Sequence, residues 1–333
     1  GTWEYSATNA ALDSPGYAAV LPDGQVVWTE TANRVVRIML SDGTIDTLAG
    51  SGRNEHADGV GRAASFQFPY GLAVTPDGAL LVADYSGHRI RRIDVASREV
   101  TTIAGTGTAG LAGEGTLALT SPLNDPFDLA VAVDGTIYVS DHLNSRVARI
   151  DSAGRIWTYA GTPGTPGDSG DGGGATAARF QYPTGLGLDP AGILYVADGN
   201  AHRVRRVVPG ATPGTATVEA FAGNGVNTRW EGDGGPPGAA GLKNPFEVAV
   251  DPATGTVFIV DVSLGVIRAV RDEGGATGLV IRTVAGDGSL GFHGDGGPAT
   301  GAGFFGPIGL AVDGAGGFYV ADADNDRIRH AHF

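Results

Sequence analysis

Two carboxylic acids, Asp128 and Glu247, each lie two residues after a proline that recurs along the chain. Carboxylates that converge on one point can bind a metal ion or act as an acid–base pair. Burying both without a partner is unfavourable, so a cation, an arginine or water is expected beside them. We predict that the pair binds a metal ion, with calcium and zinc as candidates. The alternative is two solvated acids that line a wet channel.

Aromatic residues surround the two acids in the sequence and predict apolar walls for the same site. Tyr70, Phe127 and Phe246 directly follow the recurring proline, and Tyr17 takes the acids' own position in another copy. A cavity with aromatic walls and few polar groups is typical of small-ligand sites. We therefore predict one ligand-binding site from these residues and the two acids. The predicted set is Tyr17, Tyr70, Phe127, Asp128, Phe246 and Glu247.

Five further candidates for ligand binding stand next to acids in turns and loops. Trp230 and Phe292 each precede a loop aspartate by three residues, a placement that suits recognition of a protein or a sugar. The alternative is that each ring fastens its own loop to the neighbouring repeat. His56 and His293 precede loop aspartates by two residues, whereas His142 follows the acid at a strand end. Neither a Ser-His-Asp spacing nor a phosphate-binding loop motif accompanies them.

A motif of four short β-type segments must position all of these residues, and it occurs six times. In the second copy the segments are residues 69–74, 80–84, 88–94 and 100–105. Turn residues separate them, and in Pro76-Asp77-Gly78 the proline presets φ while the glycine accepts a positive φ. The recurring prolines are Pro15, Pro69, Pro126, Pro183, Pro245 and Pro307.

A four-stranded unit repeated about every 60 residues predicts a β-propeller with one blade for each copy. We predict an all-β, six-bladed propeller of four-stranded antiparallel blades that spans residues 1–333 as a single domain. The sixth copy has only three segments, and the N-terminal segment 3–7 is expected to complete its blade. This pairing would close the ring and remove an exposed strand edge.

Alternating strand directions place two sets of connections on one face, which we call the long-loop face. It carries the long loops before the first strand of each blade and the turns between the second and third strands. Binding residues usually lie on loops that a rigid scaffold positions. Five of the long loops contain an acid beside glycine, for which we expect a local turn or calcium binding. These acids are Asp58, Glu114, Asp171, Asp233 and Asp295.

An acid at the end of the second strand precedes an arginine by five residues in four copies. Because a tight turn separates the two side chains, we interpret each pair as an ion pair that fastens the blade. Arg34 is interpreted as the corresponding arginine at the start of the third strand in the first copy. The four pairs are Asp84–Arg89, Asp141–Arg146, Asp198–Arg203 and Asp322–Arg327.

The composition excludes several classes of function. Lys and Arg total 22 against 36 Asp and Glu, and the net charge of −14 disfavours binding to nucleic acid or an anionic membrane. Cysteine is absent, which excludes disulfides, thiol nucleophiles and cysteine-ligated zinc. The sequence contains no run of 18 apolar residues and no charged-then-apolar leader, so we expect no membrane insertion.

Several motifs resemble those of the NHL-repeat family of six-bladed β-propellers. They are Pro69-Tyr70-Gly71-Leu72-Ala73-Val74, Val82-Ala83-Asp84, the strand opening at residues 200–204, and Gly294-Asp295-Gly296-Gly297-Pro298-Ala299. The resemblance covers essentially the whole chain and implies the fold more specifically than the function. It implies protein- or RNA-binding modules, bacterial sensor domains or a peptidyl-amidating lyase, while related propellers include calcium-dependent lactonases. The histidines that the lyase needs for zinc are missing at the starts of the first strands.

Two functions of different classes follow from the sequence. The first is a non-enzymatic recognition domain whose long-loop face binds a protein, a glycan or a small molecule. The second is a calcium- or zinc-dependent hydrolase or lyase with its site at the mouth of the central channel. We expect a bacterial, extracellular or periplasmic domain that is monomeric and belongs to a larger protein.

Overall fold

A computed structural model describes residues 2–4, 12–212, 214–227, 230–274 and 278–332. Six antiparallel sheets surround a central axis, which confirms the predicted six-bladed β-propeller. The described part contains only short 3-10 turns as helical structure, and none is long and apolar enough to cross a bilayer.

The first three blades each have four main strands, ordered from the axis outward. The first blade consists of Pro15–Val20, Val26–Glu30, Val35–Met39 and Ile45–Ala49. The second consists of Pro69–Val74, Leu80–Asp84, Arg89–Ile93 and Glu99–Ala104, with Gly59–Val60 as an outer fifth strand. The third consists of Pro126–Val131, Ile137–Asp141, Arg146–Ile150 and Arg155–Ala160, with Thr116–Leu117 outside it.

The last three blades follow the same order. The fourth consists of Leu186–Leu188, Leu194–Asp198, Arg203–Val208 and Thr217–Ala222. The fifth consists of Pro245–Val250, Val257–Asp261, Val266–Asp272 and Leu279–Ala285. The sixth consists of Pro307–Val312, Phe318–Asp322, Arg327–His332 and Thr2–Glu4. The 3-10 turns are Gly61–Ala63, Ala118–Thr120, His142–Asn144, Ala175–Ala177, Gly199–Ala201, Pro237–Ala239, Ala299–Gly301 and Ala323–Asn325.

The outer strand of the sixth blade comes from the other end of the sequence. Thr2–Glu4 lies antiparallel to Arg327–His332, with Thr2 opposite His332 and Glu4 opposite His330. The strand is shorter than the predicted segment 3–7, whose remaining residues lie outside the described part. On the inner side of the ring, Pro15–Val20 packs against Pro307–Val312, so the first and sixth blades are also in contact there.

Apolar side chains fill the spaces between neighbouring blades because each twisted sheet buries both of its faces. Val27 and Leu48 of the first blade pack with Leu80 and Val82 of the second in one such cluster. Close-packed interfaces of this kind fix the angle between blades and hence the position of every loop. Blades therefore act as a rigid support for the long-loop face.

A buried arginine near the middle of the third strand anchors the long loop before the same blade. Arg91 donates to Asp58 in that loop at 2.8 Å and lies 3.6 Å from Asp84 at the end of the second strand. Its guanidinium also lies over the ring of the buried Phe66, with 5.2 Å between Cζ and the ring centroid. Arginines at the same position in three later blades bind their own loop aspartates. The pairs are Arg205–Asp171, Arg268–Asp233 and Arg329–Asp295.

These contacts correct the predicted acid–arginine pairing. Only Arg146 binds the strand-end acid predicted for it, with 2.8 Å between Nε and Asp141 Oδ2. Arg89 instead donates to the carbonyl oxygens of Gly87 and Thr106. It stands two residues before Arg91, at the very start of the third strand, so its side chain meets the turn and not the strand-end acid. Arg34 precedes its strand in a left-handed conformation with φ of 55°, so the third strand of the first blade opens at Val35.

The loop acids hold the loops to their own blades. Asp58 accepts from the amide and the hydroxyl of Thr102 in the fourth strand, at 3.1 and 2.9 Å. Glu114 makes the same two contacts with Thr158, at 2.8 and 2.6 Å. These acids therefore already have protein partners, and the described residues do not bring any of them into a cluster of three possible metal ligands.

Candidate functional site

The first strands of the six blades alternate between large and small residues at the axis. Tyr17, Asp128 and Glu247 stand at this position in the odd-numbered blades, and glycine stands there in the even-numbered ones. A Cβ atom on Gly71 would lie 2.5 Å from Asp128 Oδ1, and one on Gly185 would lie 2.5 Å from Glu247 Oε2. The glycines therefore provide the space in which the two acids are buried.

Asp128 and Glu247 are both buried at the axis, and the pKa of each is raised. Asp128 is 1% exposed and Glu247 4% exposed. Burial raises the pKa of Asp128 to about 7, although the amides of Leu186 and Leu129 oppose this shift. Burial and the charge on Asp128 also raise the pKa of Glu247. Both shifts favour the protonated forms of the two acids.

One oxygen of this pair remains unsatisfied by the described residues. Asp128 Oδ2 accepts from the Leu186 amide at 2.8 Å, whereas Glu247 Oε2 has no hydrogen-bond partner. The hydroxyl of Tyr17 is close enough to influence the pKa of Glu247 but completes no hydrogen bond itself. Burial raises the pKa of Tyr17, so its phenol is neutral and can donate.

The pair faces a cavity of about 410 Å³ along the axis of the ring. Beyond Tyr17, Asp128 and Glu247, its walls are mostly the aliphatic side chains of the first strands. It extends along those strands to Pro252, which lies in a turn on the face opposite the long loops. The acids therefore lie at the inner end of this cavity.

The pair by itself does not fit a calcium ion. Calcium takes six to eight oxygen ligands, and no third Asp, Glu or His joins Asp128 and Glu247 among the described residues. Zinc in a catalytic site normally takes three protein ligands, which the pair also lacks. Protonation, which the raised pKa values favour, reduces the cost of burying two carboxyl groups.

A cluster of aromatic rings covers the acids on the long-loop face. Phe127 is at its centre, with ring-centroid distances of 4.6 Å to Tyr70, 5.1 Å to Phe246 and 5.2 Å to His142. Tyr17 also belongs to it, 5.4 Å from Tyr70. The structure thus brings together seven of the predicted site residues at the axis. They are Tyr17, Tyr70, Phe127, Asp128, His142, Phe246 and Glu247.

Three rings of this cluster were not predicted from the sequence. Phe68 stacks on Tyr70 at 5.8 Å, Tyr85 lies 5.7 Å from Phe127, and Tyr182 lies 5.6 Å from His142. Phe68 and Tyr182 each precede a recurring proline, and Tyr85 follows a strand-end acid. Comparison of these two repeat positions among the six copies would have identified all three. We call the eight rings the aromatic patch: Tyr17, Phe68, Tyr70, Tyr85, Phe127, His142, Tyr182 and Phe246.

His142 acts as an uncharged ring within the patch. Burial lowers its pKa, which favours the neutral form. Its Nδ1 lies 3.0 Å from the carbonyl oxygen of Pro183 and therefore donates to it. This hydrogen bond joins the third blade to the loop of the fourth and fixes the orientation of the ring.

The four remaining candidates lie in outer loops, away from the patch. Trp230 packs over the backbone of the next long loop, where a Cβ on Gly288 would be 3.0 Å from the indole ring. Phe292 lies under the guanidinium of Arg327, with 3.4 Å between Cζ and the ring centroid. Both contacts agree with the interpretation that these rings fasten loops to neighbouring elements.

His56 is exposed, and His293 pairs with an acid in its own loop. The Nε2 atom of His293 lies 3.0 Å from Asp287 Oδ2 and 3.5 Å from Ser289 Oγ. A catalytic triad needs the serine and the aspartate on different nitrogens of the imidazole ring. Because both groups approach the same nitrogen here, the cluster is not a hydrolytic triad.

Two segments of the chain match the family model described as NHL repeat, residues 66–93 and 180–207. They cover the first three main strands of the second and fourth blades. The human NHL repeat-containing protein 2 is 26% identical over 55% of this chain, and Teneurin-m of Drosophila melanogaster is 27% identical over 92% of it. The matches cover only 28% and 11% of the lengths of these relatives.

Solved structures with the same fold include proteins with different activities. An auxiliary nutrient binding protein from Bacteroides thetaiotaomicron has a TM-score of 0.68 at 15% identity, over 96% of this chain and 69% of that one. A gluconolactonase from Xanthomonas campestris has a TM-score of 0.62 at 16% identity, over 98% and 87%. Regucalcin from Agrobacterium tumefaciens, a calcium-binding protein, has a TM-score of 0.60 at 14% identity, over 99% and 92%. At these identities the likeness concerns the fold alone: this chain is a six-bladed β-propeller, and segments of two of its blades match the NHL-repeat model.

Proposed function

We propose that this protein is a non-enzymatic recognition domain that binds a segment of another protein on its aromatic patch. The observation that carries the proposal is the convergence of eight rings from five blades at one end of the axis. Aromatic side chains supply most of the binding energy in many protein interfaces because they bury a large area at a low entropic cost.

Partial exposure of the rim supports a role in binding. Phe68 is 36% exposed, and Leu143, next to His142, is 42% exposed. Tyr182 has a left-handed backbone with φ of 66°, which is unfavourable for a large side chain. Strained backbone of this kind is frequent at binding sites, where function retains a residue that stability alone disfavours.

The charge around the patch favours a basic partner. Burial raises the pKa of Tyr70 and of Tyr85, and the exposed Asp324 and the nearby Asp125 are close enough to add to these two shifts respectively. The net charge of the whole chain is −14. We therefore propose that the preferred segment combines apolar or aromatic side chains with lysine or arginine.

The test is selection from a displayed random peptide library on the immobilised protein, followed by affinity measurements by calorimetry. We expect selected peptides to contain aromatic and basic residues. The variants Phe68→Ala and Tyr182→Gly should each weaken their binding about tenfold or more. Val133→Ala is the control, because Val133 is 90% exposed in a turn on the opposite face.

Equal affinity of the selected peptides for all four proteins would overturn the proposal. Failure to select any peptide above the background of the empty support would also overturn it. Both rim variants are expected to fold, since Phe68 is at the surface and glycine relieves the strain at residue 182. Circular dichroism on each variant separates lost binding from lost structure.

A second candidate function is a hydrolase or lyase that uses Asp128 and Glu247 as an acid–base pair. The raised pKa of Asp128 to about 7 favours this role, because a group that titrates near the working pH can exchange protons efficiently. The gluconolactonase and the calcium-binding regucalcin share the fold and make lactones a reasonable first choice of substrate, while calcium would need water or substrate to supply the ligands that the two acids lack. Because the aromatic patch covers the acids on the long-loop face, a substrate would have to reach them through the cavity.

Initial rates on a panel of lactones and esters, with and without added calcium or zinc, test this candidate. Turnover that disappears in both Glu247→Gln and Asp128→Asn would support an enzyme. Turnover that persists in both variants would come from another site or from a contaminating enzyme. If the native protein itself shows no turnover, the enzymatic function is rejected for those substrates.

A further inference from the structure

We propose that Asp313, His330 and His332 form a binding site for a divalent transition-metal ion, with zinc as the ion to test first. The site belongs to the sixth blade and lies at the face opposite the long loops. Asp313 follows the first strand of that blade, and the two histidines end its third strand. It is therefore separate from the aromatic patch and from the Asp128–Glu247 pair.

Two imidazole rings converge on a single carboxylate oxygen at this site. His330 Nε2 lies 2.8 Å from Asp313 Oδ2, and His332 Nδ1 lies 3.6 Å from the same oxygen. Each of the three side chains offers one atom that could bind a metal ion, and these three atoms lie within 4.8 Å of one another. Ligands bound to zinc at about 2.0–2.2 Å lie about 3.3–3.5 Å apart in a tetrahedral arrangement. Small rotations of the side chains would bring all three to that geometry.

The backbone places each ligand without help from a metal ion. His330 and His332 are two residues apart on one strand, so their side chains leave the same face of the sheet. Asp313 Oδ1 accepts from the amides of Ala315 and Gly317, both at 2.8 Å, which leaves Oδ2 directed at the histidines. Hydrogen bonds that orient a metal ligand in this way are characteristic of metal sites.

Gly317 has no side chain and therefore leaves space for the ligand atoms. A Cβ there would lie 2.5 Å from Asp313 Oδ2 and 3.1 Å from His332 Nδ1. The site is also accessible from one side, since the side chain of His332 is 37% exposed while that of Asp313 is 8% exposed. A buried carboxylate with a partly exposed histidine allows the ion to enter while most of the site stays dry.

The fourth blade contains the same turn without the histidines. Asp189 accepts from the amides of Ala191 and Ile193 at 2.9 and 2.8 Å, as Asp313 does in its turn. On neighbouring strands of that blade Tyr195 stands opposite Arg206, whereas in the sixth blade the corresponding Tyr319 stands opposite His330. The turn aspartate alone is thus a feature of the repeat, and its combination with two histidines distinguishes the sixth blade.

Two histidines and one carboxylate favour zinc, cobalt, nickel or copper over calcium and magnesium, which prefer oxygen ligands. The ion would link the turn after the first strand to the third strand, whose other edge pairs with Thr2–Glu4. Binding to the folded state alone should therefore stabilise the closed ring. Because histidine must be neutral to bind the ion, affinity should fall at acid pH.

The test uses the whole chain after dialysis against a chelator, titrated with zinc by calorimetry and with cobalt by absorption spectroscopy. We expect one zinc ion per chain, a higher melting temperature with zinc, and a cobalt spectrum of four- or five-coordinate type. His332→Ala and Asp313→Asn should each weaken zinc binding about tenfold or more. Asp189→Asn is the matched control and should bind zinc as the native protein does.

A native protein that binds no zinc at neutral pH would overturn the proposal. Zinc binding that survives in both His332→Ala and Asp313→Asn would also overturn it, because the ion would then occupy another site. His293→Ala distinguishes the most obvious alternative, since His293 forms a second His–Asp pair on the surface. His332→Ala should remain folded, as its side chain is partly exposed, and circular dichroism checks this.

Discussion

Glu247 packs its carboxyl group against the bare backbone of Gly185 in the preceding blade, where a Cβ would lie 2.5 Å from Oε2. The same relationship joins Asp128 to Gly71, whereas Gly309 lies against the backbone of Gly16 and Tyr17. Three large and three small residues thus alternate around the axis. The centre of a propeller is narrow, so at this position only every second blade can place a large side chain there. This limit explains the alternation.

Substitution of Gly185 by alanine should therefore destabilise the ring. The added methyl group would meet the Cα atom of Glu247 as well as its carboxylate, so a shift of backbone is required. We expect a loss of about 1–3 kcal/mol in the free energy of unfolding, measured by chemical denaturation. Gly301→Ala is the control, because no atom lies within 4 Å of its Cβ position. Equal effects of the two substitutions would contradict the packing argument.

Protonation of the Asp128–Glu247 pair should make stability depend on pH. A carboxyl group whose pKa is raised by folding binds a proton that the unfolded chain releases. Stability is then greatest below the unfolded pKa of about 4 and falls as the pH rises towards the folded pKa, which is about 7 for Asp128. Each titrating group contributes a slope of up to about 1.4 kcal/mol per pH unit in this window.

Glu247→Gln should reduce that slope, since glutamine resembles the protonated acid but cannot lose its proton. We expect the variant to be more stable than the native protein above neutral pH and to differ little from it near pH 4. Urea denaturation at several pH values measures the effect. Glu99→Gln serves as the control, because Glu99 is exposed at the start of a strand. A parallel pH dependence in the native protein and Glu247→Gln would contradict the raised pKa of Glu247.

The fold was predictable from the sequence because every blade repeats the same turn residues and strand patterns. The recurring prolines open first strands in the structure at Pro15, Pro69, Pro126, Pro245 and Pro307, and the first strand of the fourth blade starts at Leu186, three residues after Pro183. Local chemistry determines these elements, so one sequence is sufficient to locate them.

The side-chain partners were less predictable, because sequence distance does not determine which side chains meet. Arg89 stands closer to Asp84 in the sequence than Arg91 does, but Arg91 has the orientation that reaches the acid. The deep burial of Asp128 and Glu247 was also not predicted from the sequence. Rings from several blades cover them, and only the closed ring brings Phe127, Tyr70 and Phe246 within contact distance.

The buried arginines should contribute strongly to stability. Arg91 donates to the carbonyl oxygens of Ser65 and Ala57 as well as to Asp58, and its loss would leave the buried Asp84 with only Arg89 as a nearby cation. Breaking such a pair costs about 3–5 kcal/mol because an uncompensated charge remains. We expect Arg91→Met to show a loss of that order in the free energy of unfolding, measured by chemical denaturation.

The neighbouring arginine provides the control for this experiment. Arg92 is partly exposed and pairs with Asp77 at the surface, at 2.8 Å. Surface ion pairs contribute about 0–1 kcal/mol, so Arg92→Met should have little effect. If the two variants lost the same stability, the assignment of Arg91 as the anchor of the loop would be wrong.

The aromatic residues of the outer loops should affect stability and leave peptide binding unchanged. Phe292 lies under Arg327 and 5.3 Å from the guanidinium of Arg329, so its ring stabilises the loop that holds Asp295. Cation–aromatic contacts at partly exposed positions contribute about 0.5–1 kcal/mol. Phe292→Ala should lower the free energy of unfolding by about this amount, as measured by denaturation. In calorimetry it should bind the peptides selected on the aromatic patch with the native affinity. A marked loss of peptide affinity in this variant would instead extend the binding surface from the axis to the loop of the sixth blade.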